Sequence, residues 1–520
     1  MHTCWRDINE KKNIFTTALI VGALIISISA SYIFTAFNYS ENYQSKNSNE
    51  FIGKLDKELP SWIKKYKVPG AAIGLIENDK IIWQKGYGFA DKESNKMVTP
   101  NTIFRIASIS KPITAWGIMH LVDQGKIELD APAEKYLTRW HIPSSKFDKR
   151  GVTIRRLLSH TAGFSVEGSP GYDINKPLPS IEQSLLGIGG EQWRVKLINE
   201  PGTTFQYSGG GFSVLQLITE EVTGKKFSDY MQSEIFKPLN LNHTRYDRDF
   251  KDNTTIATAY TDSGKPIIDR PWIEQASGGV YTNLIDLSTF VASCMEESNK
   301  NKAGRGILKP SSLAEMFSPQ PNTKSFFGVY GLGFIPQKLK NDVKLISHSG
   351  DITGWNSQIA FLPKEKRGIV ILTNGDAGYY FKSEVLGLWT NWTTGDSNND
   401  TKFLRIMQKT LISLACFFGV LFLYFIYDTK KKITSKKIIF SPIFNKKFNF
   451  KGYMKAILPG LIVIIWCFIF YSKVPFKIIF KLNDYALFTF FSPELFWVTL
   501  IITIFGVFST LRNLLTEKTN

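Results

Sequence analysis

Residues 104–116 read FRIASISKPITAW, a stretch that combines a serine and a lysine with residues typical of a helix start. Ser110 and Pro112 favour a first helical turn here, because both residue types are common where helices begin. Ser108 and Lys111 are three residues apart, and residues at this spacing share one face of a helix. The stretch therefore predicts that the amino group of Lys111 lies beside the hydroxyl of Ser108.

This pair of side chains is typical of nucleophilic catalysis. A serine hydroxyl reacts poorly at neutral pH unless a base lies next to it. A lysine whose pKa is lowered by desolvation can be that base, or can hold a tyrosinate that is. Backbone N–H groups at a helix start also suit a developing oxyanion. A surface serine followed by a solvated lysine gives the same pattern by chance, so the prediction depends on the remaining sequence.

Charge and apolar residues are unevenly distributed along the 520 residues. The formal charge is +18, and residues 401–520 contain 17 lysines and arginines against 4 acidic residues. This basic region is also the most apolar part, a combination typical of membrane loops and not of nucleic-acid binding. The four cysteines form no C-x-x-C motif and no Cys/His cluster, so we expect no disulfide framework, metal site or cofactor.

The N-terminal region is predicted to be a signal or anchor segment over residues 1–37. Residues 14–37 are apolar over about one bilayer crossing and follow two lysines. A signal peptide and an uncleaved anchor both fit, and we prefer the anchor because the apolar run is long for a signal peptide. The positive flank predicts that the following domain is exported. Residues 38–50, rich in Asn and Ser, are predicted to be a linker.

A soluble domain is predicted over residues 51–395. It opens with an amphipathic helix at residues 51–66 and two strands joined by a turn over residues 70–88. It closes with two apolar runs, 355–362 and 368–373, separated by a charged turn. Because hairpins open and close the domain, we predict an α+β fold, in which helices flank an antiparallel sheet and a helical region is inserted.

Residues 404–520 are predicted to be a membrane domain with three transmembrane helices, at about 407–427, 456–472 and 495–511. The loop between the first two carries nine lysines, which places it in the cytoplasm. We therefore predict a multi-pass protein of the cell membrane with an extracytoplasmic catalytic domain. The alternative is that these spans are core helices of a soluble domain, but their low charge and flanking lysines disfavour it.

Two further segments carry candidate chemistry. Residues 201–212 read PGTTFQYSGGGF, with Tyr207 before three glycines that open a helix. A phenol beside an ammonium group has a lowered pKa and can shuttle protons, although core packing is the more common role of such a tyrosine. Residues 346–351 read ISHSGD, and a strand edge of this kind can present N–H groups to a carbonyl. His348 can bind a substrate carboxylate, tune the lysine, or simply be hydrogen-bonded at a polar strand end.

Together and in this order, the three segments resemble the serine β-lactamase and penicillin-binding protein superfamily. The similarity is greatest to its branch of class C β-lactamases, D-alanyl-D-alanine carboxypeptidases and esterases, and it covers about residues 55–390. Four more stretches are similar to that family: VPGAA at 68–72, LLSHTAGF at 157–164, ASGGVYT at 276–282 and YGLGF at 330–334.

The resemblance implies a role for each of three side chains. Ser108 would be the acylated nucleophile, Lys111 its partner base, and Tyr207 the group that shuttles protons to the leaving group. His160 would be a structural residue of the family's turn and not a catalytic base.

The resemblance also implies a substrate-binding strand. His348, Ser349 and Gly350 would stand in for the family's Lys-Thr-Gly motif, and the oxyanion hole would combine the N–H groups of Asp351 and of the nucleophile. Two departures weaken the case for efficient β-lactam hydrolysis: His348 replaces the lysine, and Gly209 replaces an asparagine that contacts the substrate's amide.

We therefore predict a membrane-bound serine hydrolase that acts through an acyl-enzyme on D-alanyl peptides or esters of the cell envelope. A β-lactamase proper and a non-hydrolytic envelope binding or sensing protein remain alternatives. The expected partners are a small-molecule or peptide substrate of the envelope and the lipid bilayer, and no nucleic acid is expected.

Overall fold

The computed structural model describes residues 47–165, 171–249, 255–295, 302–325, 328–435, 438–440, 457–466, 468, 493–513 and 515–517. The predicted anchor segment lies outside these residues, as does most of the predicted linker. The chain divides into two compact units, one comprising Asn42–Thr401 and the other Met1–Glu41 with Lys402–Asn520.

An antiparallel sheet forms the centre of the first unit. The strands described in this unit are β1 Gly70–Glu77, β2 Lys80–Asp91, β3 Lys96–Met97, β4 Phe104–Arg105, β5 Ala259–Tyr260, β6 Pro266–Ile267, β7 Tyr281–Thr282, β8 Ile335–Lys338, β9 Lys344–Ile352, β10 Trp355–Leu362 and β11 Arg367–Thr373. Seven of them form one sheet in the order β3-β2-β1-β11-β10-β9-β8, with antiparallel neighbours. Because β1 pairs with β11, the prediction of a sheet built from both ends of the domain is confirmed.

Helices cover both faces of this sheet. The α-helices described in this unit are α1 Ser48–Lys65, α2 Ser110–Asp123, α3 Ile154–Leu158, α4 Ile181–Leu185, α5 Gly209–Thr223, α6 Phe227–Met231, α7 Gln275–Gly278, α8 Leu284–Ser293, α9 Pro310–Met316 and α10 Gly378–Thr394. The helices from α2 to α9 lie between β4 and β8 in the chain, so they form the inserted helical region. The α+β architecture agrees with the prediction from sequence.

Two hydrophobic cores lie on opposite faces of the sheet. On one face α1 and α10 pack together, and Phe51 stacks on Trp392 with 4.1 Å between ring centroids. On the other face the core includes α2, α5 and α8. Strand β11 serves both, because Ile371 belongs to the first core and Leu372 to the second. Burial on both faces explains why β1 and β11 are continuous apolar runs and do not alternate with polar residues.

A 3₁₀ turn, Ala107–Ile109, connects β4 to α2 and carries Ser108. Ala107 has a φ of 47°, a left-handed conformation that is costly for a residue with a Cβ. The buried Ser110 hydroxyl holds this turn: it donates to the Ala107 carbonyl at 2.7 Å and accepts the backbone N–H of Val280 at 3.1 Å. Ser110, at the start of α2, therefore fixes the conformation of the turn that carries Ser108.

Strand β9 approaches this turn at Gly350. A Cβ at this position would lie 1.9 Å from the carbonyl oxygen of Ile106 and 2.5 Å from Oγ of Ser357. The Ser357 hydroxyl, on β10, donates to the same Ile106 carbonyl at 2.8 Å. Only glycine leaves room for this approach, which brings the ISHSGD segment beside the turn.

One helix among the described residues is long and apolar enough to cross a membrane: α11, Asn399–Thr434. It contains the first predicted transmembrane helix. The second predicted span lies partly outside the described residues, and its apolar helix Ile457–Trp466 is shorter. The third lies within the helix Pro493–Asn513, whose apolar stretch Trp497–Arg512 is also shorter. The described part near the C-terminus also has Ile438–Phe440 paired with Leu515–Glu517 as antiparallel strands. The three-helix membrane domain stays a prediction.

We expect Gly350→Ala to lower the free energy of unfolding by about 1–3 kcal/mol, because the methyl group forces β9 away from the Ile106 carbonyl. Denaturant unfolding of the purified protein measures this change. Gly53→Ala is the matched control, because a Cβ on Gly53 in α1 has nothing within 4 Å and alanine is the better helix former. Equal stability of the two variants would contradict the close approach of β9.

Candidate active site

The hydroxyl of Ser108 and the amine of Lys111 lie side by side, as their three-residue separation in the sequence predicts. Nζ of Lys111 is 3.1 Å from Oγ of Ser108 and donates to the Ser277 carbonyl oxygen at 2.8 Å. Lys111 is 2 % exposed, whereas Ser108 keeps part of its surface in contact with solvent. The arrangement thus combines an accessible hydroxyl with a buried amine.

Burial lowers the pKa of Lys111 to about 7. Its amine faces the Ser108 hydroxyl, the Ser277 carbonyl, and the rings of Tyr207 and Phe212, whose centroids are 4.7 and 5.6 Å from Nζ. Neutral dipoles and ring faces replace only part of the hydration that a full positive charge loses. A large fraction of the amine is therefore unprotonated near neutral pH, and it can accept the proton of the serine hydroxyl.

Tyr207 lies directly before α5, which brings the third predicted side chain to the same place. Its ring also contacts His160, with 4.3 Å between centroids. The buried Nδ1 of His160 accepts the backbone N–H of Ser208 at 3.0 Å. Burial lowers the pKa of His160 well below its usual value, and the charge of Lys111 adds to the effect. His160 is thus a neutral support for the segment that carries Tyr207.

His348 on β9 is buried, and hydrogen bonds engage both of its ring nitrogens. Nδ1 is 2.6 Å from the Ser349 carbonyl oxygen, and Nε2 is 2.7 Å from the Tyr330 hydroxyl. Because a carbonyl only accepts, Nδ1 carries the proton and Nε2 accepts from Tyr330. Burial lowers the pKa of His348 to about 3, with a further contribution from Lys111. A neutral, fully engaged imidazole favours the tuning role over direct ionic capture of a substrate carboxylate.

The other members of the ISHSGD segment lie on different sides of β9. Gly350 faces the turn that carries Ser108, and Ser349 is partly exposed. The Asp351 carboxylate forms a buried ion pair with Nζ of Lys382 on α10, and this amine also donates to the Ser357 carbonyl at 3.2 Å. The predicted oxyanion role of Asp351 therefore depends on its backbone N–H, since its side chain is committed to α10.

Sequence reasoning missed three residues that hold this site together. Ser277 and Tyr330 lie in the stretches ASGGVYT and YGLGF, so the family-like sequence around them offered a signal. Lys382 offered none, because a lysine within a helix is ordinarily solvated. Among the residues that the structure describes, no group of three or more His, Cys, Asp or Glu is placed to hold a metal ion.

Sequence comparison assigns this constellation to a class. The chain belongs to the Beta-lactamase family, whose model matches residues 50–383. Protein flp of Staphylococcus aureus strain N315 is 26 % identical over an alignment of 396 residues, which covers 72 % of this chain and 75 % of that protein. A putative penicillin-binding protein, PbpX of Bacillus subtilis strain 168, is 26 % identical over an alignment of 339 residues, which covers 64 % of this chain and 77 % of that protein.

Solved structures agree with this membership. An octameric penicillin-binding protein homologue from Pyrococcus abyssi superposes with a TM-score of 0.58 at 25 % identity, covering 69 % of this chain and 81 % of that one. The crystal structure of SurE gives 0.57 at 20 % identity, covering 66 % and 77 %, and supports the fold alone. The serine β-lactamase and penicillin-binding protein superfamily predicted from the motifs is therefore confirmed.

We expect acylation of Ser108 to accelerate with pH and to level off above pH about 7, the pKa of Lys111. Below that pH the amine is protonated and cannot accept the hydroxyl proton, so the rate falls about tenfold per pH unit. The measurement is the rate of labelling by a fluorophosphonate probe between pH 5 and 10, corrected for probe hydrolysis. A rate that keeps rising to pH 10 would indicate an ordinary, solvated lysine.

We expect Lys382→Met to lower the free energy of unfolding by about 3–5 kcal/mol, because it leaves the Asp351 carboxylate buried without its partner. The double variant Lys382→Met/Asp351→Asn removes both charges and is expected to recover most of this loss. Denaturant unfolding of the two variants tests the pair. If the second substitution recovers nothing, the ion pair does not hold β9 to α10.

Proposed function

We propose that this protein is a membrane-bound serine acyl hydrolase in which Ser108 forms an acyl-enzyme with D-alanyl peptides or esters of the cell envelope. The observation that carries the proposal is the contact between the Ser108 hydroxyl and the buried amine of Lys111, whose pKa is near neutrality. A serine with a purely structural role needs no such neighbour. A lysine with a purely structural role keeps its charge in water or beside a carboxylate.

In the proposed reaction, Oγ of Ser108 attacks the substrate's carbonyl carbon while the Lys111 amine accepts its proton. The oxyanion that forms is stabilised by the backbone N–H groups of Ser108 and Asp351. The carbon–heteroatom bond then breaks, and the leaving amine or alcohol takes a proton through Tyr207. Water attacks the acyl-enzyme by the same route in reverse, which releases the acid and restores the hydroxyl.

The substrate class is proposed from the family and from the strand motif. The similarity to carboxypeptidases and esterases supports a D-alanyl peptide or ester, and two related proteins are described as penicillin-binding or as a homologue of such a protein. In place of the lysine typical of class C β-lactamases stands His348, buried and neutral. With glycine at position 209, the site also lacks the asparagine amide. Both differences favour a peptidase or esterase over a β-lactamase. For such a peptidase or esterase, penicillin would be a slow substrate or an inhibitor.

We also propose that the catalytic domain works outside the cell at the membrane surface. Helix α11 supports an association with the bilayer by its length and composition. The apolar N-terminal segment and the lysine-rich loop that follows α11 support a domain exported between two cytoplasmic ends. The proposed topology therefore has an anchor in residues 1–37, the hydrolase in 51–395 and three transmembrane helices in 404–520.

We expect Ser108→Ala to abolish covalent labelling by a fluorescent penicillin or a fluorophosphonate, with loss of the mass adduct in intact-protein mass spectrometry. Ser110→Ala is the comparison variant: it removes a buried hydroxyl that supports the turn but is not the proposed nucleophile, so labelling is expected to slow without being lost. Labelling of Ser108→Ala equal to that of the wild type would contradict the proposal. Rapid nitrocefin turnover would favour the β-lactamase, and binding of envelope fragments without any adduct would favour a sensor.

A further inference from the structure

A cavity of about 270 Å³ lies next to the predicted catalytic residues. One wall contains Ser277, whose carbonyl accepts a hydrogen bond from Lys111. Gly209 and Gly210, at the first turn of α5 just after Tyr207, also line it. Because neither glycine has a side chain, this wall is formed by backbone and leaves room for a ligand. The cavity therefore shares Ser277 with the surroundings of Lys111, and it shares the start of α5 with the segment that carries Tyr207.

Glu274 lines the same cavity and is 7 % exposed. Its Oε1 accepts the hydroxyl of Tyr172 at 2.7 Å and also the hydroxyl of Ser184. Its Oε2 is buried and accepts no hydrogen bond from any residue that the structure describes. A carboxylate in this state has lost much of its hydration, and half of its acceptor capacity is unused.

The surroundings of Glu274 favour a positively charged ligand. Its two described partners are neutral hydroxyls, which leave the carboxylate charge uncompensated. Apolar side chains on the walls, such as Leu185 and Val195, strengthen any interaction with that charge by excluding water. Arg270 and Asp173 also line the cavity, but both are exposed and of opposite sign. The buried carboxylate of Glu274 is thus the charge that determines which ligands the cavity favours.

We infer that this cavity binds a primary ammonium group of the substrate, with Glu274 as its acceptor. An ammonium group has three N–H donors and no acceptor, so it satisfies Oε2 once the Glu274 side chain turns this buried oxygen toward the cavity, and it neutralises the buried charge. The inference rests on the proposed function and narrows its substrate class to esters or peptides that carry a free amine. Substrates whose amine is acylated, or that place a carboxylate here, would leave Oε2 of Glu274 without a hydrogen-bond donor.

The test compares two chromogenic esters with one leaving group, a D-alanyl ester and its N-acetyl-D-alanyl counterpart, hydrolysed by the full-length protein in detergent micelles. We expect the wild type to prefer the free amine by about tenfold or more in kcat/KM, after each value is divided by the rate constant for uncatalysed hydrolysis of that ester at the same pH. Glu274→Gln keeps the shape and the acceptor for Tyr172 and Ser184 but removes the charge. This variant is expected to lose the preference because its kcat/KM for the D-alanyl ester falls, whereas its kcat/KM for the N-acetyl ester changes less than twofold.

Two variants control for charge and folding. Glu365→Gln removes a charge from the exposed turn between β10 and β11 and is expected to keep the preference. Glu93→Gln likewise removes a charge from an exposed turn, the one between β2 and β3, and is also expected to keep the preference. Thermal unfolding of each variant establishes that it is folded. The wild-type comparison needs no variant, so it tests the inference even if Glu274→Gln does not fold.

The outcomes separate this inference from the proposed function. Equal corrected kcat/KM of the wild type for the two esters, or an equal loss of both values in Glu274→Gln, overturns the ammonium site while Ser108 labelling still supports the hydrolase. Preference for the N-acetyl ester overturns it as well. If the wild type forms no adduct at Ser108 and cleaves neither ester, the proposed function fails and the inference fails with it.

Discussion

The burial of the Lys111 amine is the constraint on which the rest of the site depends. Its described hydrogen-bond partners are the Ser108 hydroxyl and the Ser277 carbonyl, and aromatic rings enclose it. In such surroundings the charged form loses more free energy than the neutral form, so the fold itself holds the pKa near the working range of a base. Because α2, α5 and α7 all contribute to the surroundings of this nitrogen, the proposed activation of Ser108 depends on the packing of the helical region.

The sheet supplies the second half of the site from the other side. Burial on both faces makes β9 to β11 a rigid platform, and Gly350 lets β9 approach the turn that carries Ser108. The Asp351–Lys382 ion pair ties the same strand to α10. The position at which an oxyanion would form thus depends on contacts from both hydrophobic cores, which explains how residues far apart in the sequence meet at the proposed site.

Local sequence patterns predicted the main elements of the fold and the first contact of the site. Apolar periodicity located α1, β1, β2, β10 and β11, and a three-residue spacing was enough to place Lys111 beside Ser108. Tyr207 and His348 could be brought into the site only through the family resemblance, since nothing in their own neighbourhoods says where they lie.

Packing between distant segments determines what could not be predicted. The lowered pKa of His348 depends on its burial and on the nearby Lys111, and the burial of Lys382 depends on the sheet beneath α10. Glu274 is a similar case, because its unpaired oxygen exists only once α4 and α5 enclose it. The identity of a charged residue in a sequence does not reveal whether its side chain lies in water or in a cavity.

The titration of the Lys111 amine tests this account most directly. NMR of protein labelled with ¹³Cε-lysine, with Lys111→Met to identify the resonance, follows the chemical shift of that carbon against pH. The account predicts a midpoint near pH 7, far below that of the exposed lysines. A midpoint above pH 10 would show a solvated, charged amine and would contradict the activation of Ser108.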